Sequence, residues 1–176
     1  MTEKPDWWER AAAVIDPELP TFEIAEALLQ DVWQHARECY PEEACGLLFG
    51  SNASATGWLI ERCRNVQNRR KAAGESNLDA RHGFWIDEKE LLDALKRADE
   101  RGDELKVIYH SHVDTGAYLS HTDRDSALSP DAKPLWPGVS HLVVAVRDGV
   151  ISETGCFVWN DGTGSFVGRA VCAIET

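Results

Sequence analysis

The stretch that decides the fold is residues 105–123, which read LKVIYHSHVDTGAYLSHTD. Its apolar beginning, residues 105–109, predicts a buried β-strand that delivers His110 and His112. Because side chains on a strand alternate with a period of two, both histidines are expected to point to the same side. Together with the carboxylate of Asp123, they offer three of the four ligands that a zinc ion prefers and leave the fourth position for water.

Each of these residues also has an ordinary structural explanation. A lone histidine on an apolar strand is more often a satisfied core residue than a ligand, and Ser120-x-x-Asp123 is a good helix cap. The combination is harder to explain in this way, because the strand ends at paired histidines and the next predicted helix begins with the serine and the aspartate. The pattern as a whole therefore favours a metal site.

A hydrolytic zinc site also needs a carboxylate that is not a ligand, to take a proton from water and return it to the leaving group. Glu43 opens an apolar strand, where partial desolvation would raise the pKa of its carboxyl and suit it to proton transfer. From the residue types alone, Glu42 is an equally good candidate.

Size, composition and charge predict one globular domain with a real core. The chain has 176 residues, of which 43% are hydrophobic and 27% charged. Its formal net charge of -12 makes it a poor ligand for nucleic acid or for anionic membranes. No apolar run is long enough to span a bilayer, and the polar residues 1–6 do not resemble a signal peptide. We therefore expect a cytoplasmic protein.

The cysteines and the basic residues each have a plain interpretation. The five cysteines are odd in number and form no CxxC pair, so reduced thiols are expected, most of them small core residues. Cys45, in the middle of an apolar strand, lacks the adjacent histidine that a cysteine protease would need.

A basic cluster stands out on the acidic background and is expected to be a solvated loop, or else a docking patch for an acidic partner; it comprises Arg62, Arg64, Arg69, Arg70 and Lys71.

The predicted elements alternate between strands and helices. A helix is expected from Thr21, as its N-cap, to Tyr40, and another from Asp87 to Gly102 with its apolar face on Leu91, Leu92, Leu95 and Ala98. A shorter helix is expected over residues 120–128. Strands are expected at residues 43–50, 58–66, 84–86, 105–112, 141–146, 150–159 and 165–174, with a loop at 51–57 and a mobile loop at 68–81. This order predicts an α/β fold, a mixed β-sheet flanked by helices.

Two segments are distinguished along the chain. Residues 1–20 are expected to be an N-terminal extension, a short helix and a linker that pack onto the main body formed by residues 21–176. Trp7 and Trp8 in this extension are expected either to pack on that body or to cover a subunit contact.

The spacing of the polar residues resembles a known family. Glu43 before Ala-Cys-Gly-Leu-Leu, followed by the pattern H-x-H-x7-S-x2-D from His110 to Asp123, is similar to the motif of the JAMM (MPN-plus) metalloproteases, in particular stand-alone prokaryotic members. The resemblance extends over residues 20–174 and includes residues 64–66 and 84–87. Many members have proline after the second histidine, where this chain has Val113, and the H-N-H-P-S-G pattern of the RadC-like branch is absent.

The resemblance implies a role for each motif residue. His110, His112 and Asp123 would bind zinc, and Glu43 would hold and deprotonate the attacking water. Ser120 would donate a hydrogen bond to the developing oxyanion. The implied fold is the JAMM/MPN fold, an α/β sandwich resembling cytidine deaminases. His121 lies beside the motif and is expected to be a surface residue or to contact a ligand residue.

The resemblance also implies an activity. The chain would be a zinc-dependent isopeptidase or peptidase that cleaves after the C-terminal Gly-Gly of a ubiquitin-like or sulfur-carrier protein. As a separate hypothesis, we expect the basic cluster and the loop after Asp123 to be the docking regions for this partner. One alternative is a non-catalytic scaffold of the same fold. A less favoured one is a small-molecule zinc hydrolase such as a deaminase, whose H-x-E and P-C-x-x-C signature is absent. The sequence leaves open the individual substrate, the pathway, the preference for peptide or isopeptide bonds and the oligomeric state.

Overall fold

The computed structural model describes residues 6–53 and 57–175. Their strands are β1 (Ala11–Ala13), β2 (Phe22–Ala25), β3 (Cys45–Gly50), β4 (Leu59–Cys63), β5 (Glu104–Val113), β6 (Leu119–Ser120), β7 (Ser140–Arg147), β8 (Val150–Asn160) and β9 (Ser165–Ile174). Their helices are α1 (Glu26–Cys39), α2 (Gln67–Ala72), α3 (Glu88–Arg101) and α4 (His121–Ala127). None of these described helices is long and apolar enough to cross a membrane.

The central element is a mixed sheet of seven strands in the order β2-β9-β8-β7-β5-β3-β4. The pairs β2–β9 and β5–β7 are parallel, and the other neighbours are antiparallel. A second, two-stranded sheet, β1 with β6, packs against it through Ala13 and Leu119. The predicted α/β class, a mixed sheet flanked by helices, is confirmed.

Strand β5 separates two hydrophobic cores because its side chains alternate between the faces of the sheet. Val107 and Tyr109 pack in the core that contains α1, whereas Ile108 packs in the core that contains Ala94 and Ala98 of α3. His110 and His112 continue the side of Ile108. The metal-binding candidates therefore sit on the α3 face of the sheet, at the end of a strand that is buried on both sides.

The predicted ends of the helices are largely confirmed. Helix α1 ends at Cys39, directly before Tyr40-Pro41. The side chain of Asp87 caps α3 by accepting hydrogen bonds from the backbone N–H groups of Lys89 and Glu90, and Gly102 ends it with a φ of 75°. Leu92 was assigned to the apolar face of α3, but it is 51% exposed, so that assignment is wrong.

The predicted start of the first helix is wrong. Residues 22–25 form β2, which pairs in parallel with β9, and Ala25 stands at the N-cap of α1 without a side-chain cap. Thr21 is therefore not the cap. The hydrogen bonds to β9 satisfy the backbone of this segment, and such tertiary pairing outweighs a local helical pattern.

Two further local predictions are wrong. The composition of the segment 68–81 predicts a mobile loop, but its first five residues all belong to α2. Gln67 binds the rest through hydrogen bonds from Nε2 to Ser76 Oγ (2.6 Å) and to the Leu78 carbonyl (3.1 Å). Residues 84–86 form no strand and contribute a single bridge between Asn65 and Ile86. Polar side chains that bind local backbone groups, rather than apolar periodicity, order this region.

The basic cluster is neutralised by its neighbours. Each of its five residues lies within salt-bridge distance of a carboxylate: Arg62–Glu38, Arg64–Glu90, Arg69–Glu88, Arg70–Glu75 and Lys71–Asp79. The pairs are solvated as expected, but the expectation of a loop is wrong, because Arg62 lies on β4 and Arg69, Arg70 and Lys71 lie on α2. The docking role stays a prediction. Parts of two predicted segments lie outside the described residues. These are residues 54–56 of the predicted loop at 51–57 and residues 1–5 of the predicted extension.

Gly46 illustrates how tightly β3 and β5 pack behind the site. It pairs with Tyr109, and a Cβ placed on Gly46 would lie 2.5 Å from both the Glu61 carbonyl oxygen and Cε1 of Tyr109. The hydroxyl of Tyr109, in turn, is 2.7 Å from Nδ1 of the buried His35. We expect Gly46→Ala to lower the free energy of unfolding by about 1–3 kcal/mol, because the backbone or Tyr109 must move to accommodate the methyl group.

Denaturant unfolding of purified protein measures this effect. Gly83→Ala is a suitable control, since its nearest added contact, 3.2 Å away, is the flexible end of Leu78. Equal stability of Gly46→Ala and the wild type would show that Tyr109 is not confined as described.

Candidate metal centre

Three side chains from two elements meet at the C-terminal end of β5. His110 is 0% and His112 4% exposed, and their Nε2 atoms lie 3.2 Å apart. Asp123 comes from the first turn of α4, and its Oδ2 lies 3.4 Å from Nε2 of His110 and 3.3 Å from Nε2 of His112. The predicted cluster is therefore brought together as one group of ligand atoms.

The spacing of these atoms suits a tetrahedral ion. A tetrahedron with metal–ligand distances of about 2.0–2.1 Å has edges of about 3.3 Å. The three ligand atoms are 3.2, 3.3 and 3.4 Å apart. Two imidazole nitrogens and one carboxylate oxygen are also a donor set that zinc accepts, with one corner left over. The residues therefore fit a zinc ion held by three protein ligands.

Helix α4 fixes the position of Asp123. Ser120 is its N-cap, and its Oγ accepts a hydrogen bond from the Asp123 N–H (3.0 Å), while Oδ2 of Asp123 accepts one from the Ser120 N–H (3.0 Å). This is the capping box expected from the spacing of the two residues. The Ser120 hydroxyl also donates to Oδ2 of Asp123 at 2.6 Å, so its proton is directed at the carboxylate in this structure.

Residues that the motif does not specify contact the rings of the two histidines on the side away from the cluster. The ring of His110 stacks on Phe84, with centroids 4.4 Å apart and planes at 20°. The ring of His112 contacts Tyr118 edge-on at 4.8 Å, and its Nδ1 lies 3.0 Å from the Gly116 carbonyl oxygen. Since a carbonyl only accepts, Nδ1 carries the proton and Nε2 presents its lone pair to the cluster.

Glu43 stands two residues before β3, on the same face of the sheet as Cys45. Cys45 pairs with His110 and Ala44 bonds to Ser111, which places Glu43 beside His112. Its backbone is fixed at both ends, because its N–H donates to the Ala80 carbonyl (2.7 Å) and its carbonyl accepts from Nδ2 of Asn65 (2.9 Å). Its side chain is 5% exposed, and Oε2 has no hydrogen-bond partner within the described residues. An unpaired buried carboxylate oxygen facing a cavity is suited to binding water.

The structure separates the two neighbouring glutamates. Glu43 lines the cavity of the cluster, whereas Glu42 is exposed and accepts a hydrogen bond from Nδ2 of Asn68 (2.9 Å). Burial and the nearby charges of Asp123 and Asp79 raise the pKa of Glu43 well above its usual value. This raised pKa is typical of a carboxylate that exchanges protons.

The protonation states of the candidate ligands favour the binding of a cation. Burial lowers the pKa of His110, which leaves its imidazole neutral. Burial alone would raise the pKa of Asp123, but the neighbouring histidines hold it well below its usual value, which leaves the carboxylate charged. A neutral imidazole and an ionised carboxylate are the states in which these groups bind metal.

Two members of the cluster, His112 and Asp123, line an open cavity of about 530 Å³. The cavity is polar on its rim, where Arg10, Arg81 and the exposed His121 lie. Arg81 is paired with Asp114, with 2.6 Å between its Nη2 and Oδ2 of the carboxylate. A second, more apolar recess of about 220 Å³, lined by Phe84, Trp136 and His141 among others, meets the cluster at His110 and Asp123.

Several residues of the site were not found from the sequence. Phe84, Gly116, Tyr118 and the N-terminal Trp7 contact the cluster or its supports. Gly116 and Tyr118 occupy unspecified positions of the motif, and Phe84 and Trp7 lie far from it in the chain. The prediction for the cysteines agrees with the structure: all five are unpaired, and burial raises the pKa of Cys45 far above its usual value. Cys45 is thus a packed thiol.

Comparison with known families gives one match over most of the chain. Residues 25–160 match the family model described as prokaryotic homologs of the JAB domain. The match includes all five motif residues.

Curated relatives cover a similar part of the chain. A protein of Mycobacterium tuberculosis named CysO-cysteine peptidase is 36% identical over 126 residues, which are 71% of this chain and 73% of the relative. A protein of Haloferax volcanii named desampylase is 28% identical over 124 residues, 68% of this chain and 77% of the relative.

Solved structures share the fold at low sequence identity. A protein from Desulfitobacterium hafniense, known from a solution structure, aligns with a TM-score of 0.63 at 21% identity over 88% of this chain and 93% of that one. A protein from Salinibacter ruber aligns with a TM-score of 0.56 at 23% identity over 88% and 92% of the two chains.

Proposed function

Because the chain belongs to the family of prokaryotic homologs of the JAB domain, we propose that it is a zinc-dependent peptidase or isopeptidase acting after the C-terminal Gly-Gly of a ubiquitin-like or sulfur-carrier protein. One observation carries the proposal: three ligand atoms have tetrahedral spacing, and the side chains of His112 and Asp123 line one cavity with the buried, unpaired carboxylate of Glu43. A scaffold would need neither the ligands nor the glutamate. Their retention in one arrangement supports an enzyme.

His110, His112 and Asp123 would hold the zinc ion. When bound, the ion would supply a Lewis acid that activates water and polarises the scissile carbonyl. Glu43 orients the attacking water through its free Oε2 and takes one proton from it as the oxygen attacks the carbonyl carbon. The raised pKa of Glu43 lets it keep this proton until the C–N bond breaks, and then pass it to the leaving nitrogen.

Ser120 is the proposed donor to the carbonyl oxygen as negative charge develops on it. In the structure its hydroxyl donates to Asp123 Oδ2, and rotation about its Cβ–Oγ bond redirects the proton towards the cavity. The Asp123 N–H bond to Oγ would remain during this rotation, so the oxygen itself stays in place. Ser120 would then be both a helix cap and an oxyanion donor.

The names of the relatives support the proposed class of substrate. One is named for cleavage of CysO-cysteine and the other as a desampylase, and the chain covers 73% and 77% of them. We infer from these names that the bond cleaved joins the C-terminus of a small carrier protein to an amino acid or to another protein. The exposed polar rim of the cavity, which includes Arg10 and His121, is open to such a large partner.

Chelation tests this proposal directly. Purified protein is incubated with C-terminally extended ubiquitin-like and sulfur-carrier proteins from the same genome, and mass spectrometry locates the cut. We expect cleavage after Gly-Gly, a rate loss of about a hundredfold or more after the metal is removed by a chelator, and recovery when zinc is added. Absence of bound zinc from purified protein and absence of cleavage of every carrier would instead favour a scaffold. Cleavage unchanged by the chelator would contradict the zinc mechanism.

A further inference from the structure

We propose that Trp7 is a positioning residue of the metal centre. Residues 6–15, here called the N-terminal strap, would clamp the loop 114–120 so that the Gly116 carbonyl orients His112. The inference rests on the proposed role of His112 as a metal ligand. It assigns a function to a segment that lies outside residues 25–160, the part matched by the family model.

Trp7 stacks directly on a residue that touches a ligand. Its indole lies on the ring of Tyr118 with centroids 4.6 Å apart and planes at 4°, and Tyr118 in turn contacts the His112 ring at 4.8 Å. Aromatic pairs in such geometries are worth about 0.5–1.5 kcal/mol beyond the area they bury. The stack thus connects the strap to His112 through one intermediate side chain.

Trp7 also covers Gly116. A Cβ placed on Gly116 would lie 2.6 Å from Cε2 of the Trp7 indole, so the two residues are in close contact. The carbonyl of Gly116 is the group that accepts the Nδ1 proton of His112, at 3.0 Å. A carbonyl that binds a ligand histidine fixes its tautomer and the rotation of its ring. Trp7 therefore contacts both Gly116 and Tyr118, the two residues that determine how the His112 ring is oriented and where its Nε2 points.

The strap is fixed on the C-terminal side of Trp7, which lets it hold the indole against the loop. After the 3-10 turn Trp8–Arg10, strand β1 pairs with β6, with Ala11 opposite Ser120 and Ala13 opposite Leu119. Beyond β1, the Asp16 N–H donates to the Gly168 carbonyl at 2.9 Å. The predicted short helix is thus a single 3-10 turn. Part of the predicted linker is strand β1, whose first residue lies opposite Ser120, the cap of α4.

The expected effect of losing the indole follows from this arrangement. Without Trp7, the loop 114–120 keeps its sequence but loses the surface that holds the Gly116 carbonyl in line with Nδ1. His112 would then populate both tautomers and several ring orientations, only part of which present Nε2. Removing groups that orient a metal ligand weakens metal binding by about 10–100-fold. We expect Trp7→Ala to lie in this range.

The test compares full-length variants by two readouts that do not need turnover. Zinc affinity is measured by competition with a chromophoric chelator, and the His112 tautomer is read in metal-free protein from its imidazole nitrogen resonances. Trp7→Ala is compared with Trp7→Phe, which keeps a ring to stack on Tyr118, and with Trp8→Ala, which removes an indole from the next position. Gly116→Ala provides an independent way to displace Trp7, because its methyl group would overlap the indole.

We expect Trp7→Ala and Gly116→Ala to bind zinc at least tenfold more weakly and to show mixed His112 tautomers. Trp7→Phe is expected to recover most of the affinity. Trp8→Ala, which removes a ring 6.2 Å from that of Trp7 but leaves the stack on Tyr118, is expected to weaken zinc binding less than Trp7→Ala does. If Trp7→Ala does not fold, as judged by circular dichroism, Trp7→Leu takes its place. Folded variants with wild-type affinity and a single Nδ1–H tautomer would overturn the inference. Failure of the wild type itself to bind zinc would instead overturn the proposed function.

Discussion

Glu43→Gln is expected to reduce the rate of cleavage by about 10²–10⁴-fold, the range attributed to a general acid–base, while bound zinc stays at the wild-type level. Glutamine keeps the size of the side chain and can still place an oxygen in the cavity, but it cannot accept and return a proton. The variant should also be no less stable than the wild type, because it removes a carboxyl that is 5% exposed and has an unpaired oxygen.

The matched control for this variant is Glu42→Gln. The two glutamates are neighbours, but Glu42 is exposed and bound to Asn68 rather than directed into the cavity. We expect the rate of Glu42→Gln to stay within a factor of about two of the wild type, since surface substitutions of this kind usually have little effect. Initial rates and zinc content are measured on the same preparations. Near-normal turnover by Glu43→Gln, with its metal in place, would place the base elsewhere.

Asp123→Ala is expected to bind zinc far more weakly than the wild type and to lose cleavage with it. The carboxylate provides one of three ligand atoms, so its loss should exceed the roughly 10–100-fold effect of removing a group that only orients a ligand. Asp123→Asn refines the comparison, because its amide oxygen can still accept the Ser120 N–H bond that completes the cap of α4. Zinc content after dialysis and chelator competition measure both variants.

Asp125→Ala is the control on the same helix. Its carboxylate is exposed and pairs with Arg124, 2.6 Å from Nη2, on the surface. We expect this variant to keep its zinc and its activity. Wild-type zinc affinity in both Asp123→Ala and Asp123→Asn would reduce Asp123 to a helix cap. An intact metal site in Asp123→Asn alone would indicate that the capping geometry, and not the charge, is what the metal requires.

Sequence reasoning was strongest where the determinants are local. The strand that carries His110 and His112, the cap and the C-terminal glycine of α3, and the three C-terminal strands were all predicted from period, turn residues and caps. In each case hydrophobic alternation or a capping side chain within a few residues specifies the structure. The same holds for Ser120 and Asp123, whose capping box is contained in four consecutive residues.

It failed where a distant strand or a polar side chain determines the backbone. Residues 22–25 follow a helical pattern, but β9, far along the chain, supplies their hydrogen bonds. Residues 68–81 have the composition of a mobile loop, but Gln67 and Asn68 bind their backbone. Neither interaction leaves a periodic trace in the sequence. The proposed domain boundary at residue 20 and the likeness to cytidine deaminases remain predictions.

The residue pattern alone identifies the side chains offered to a metal and places His110 and His112 on one side of a strand. Residue types left Glu42 and Glu43 equivalent, and the family resemblance selected Glu43. The fold explains the difference in their environments, because the pairing of β3 with β5 places Glu43 in the cavity and leaves Glu42 exposed. The stack of Trp7 on Tyr118, which contacts His112, is visible in the tertiary structure alone. Periodicity reflects interactions between residues that are close in sequence. The distances between the ligand atoms depend instead on contacts between segments that are remote in the chain, and such contacts cannot be read from a local pattern.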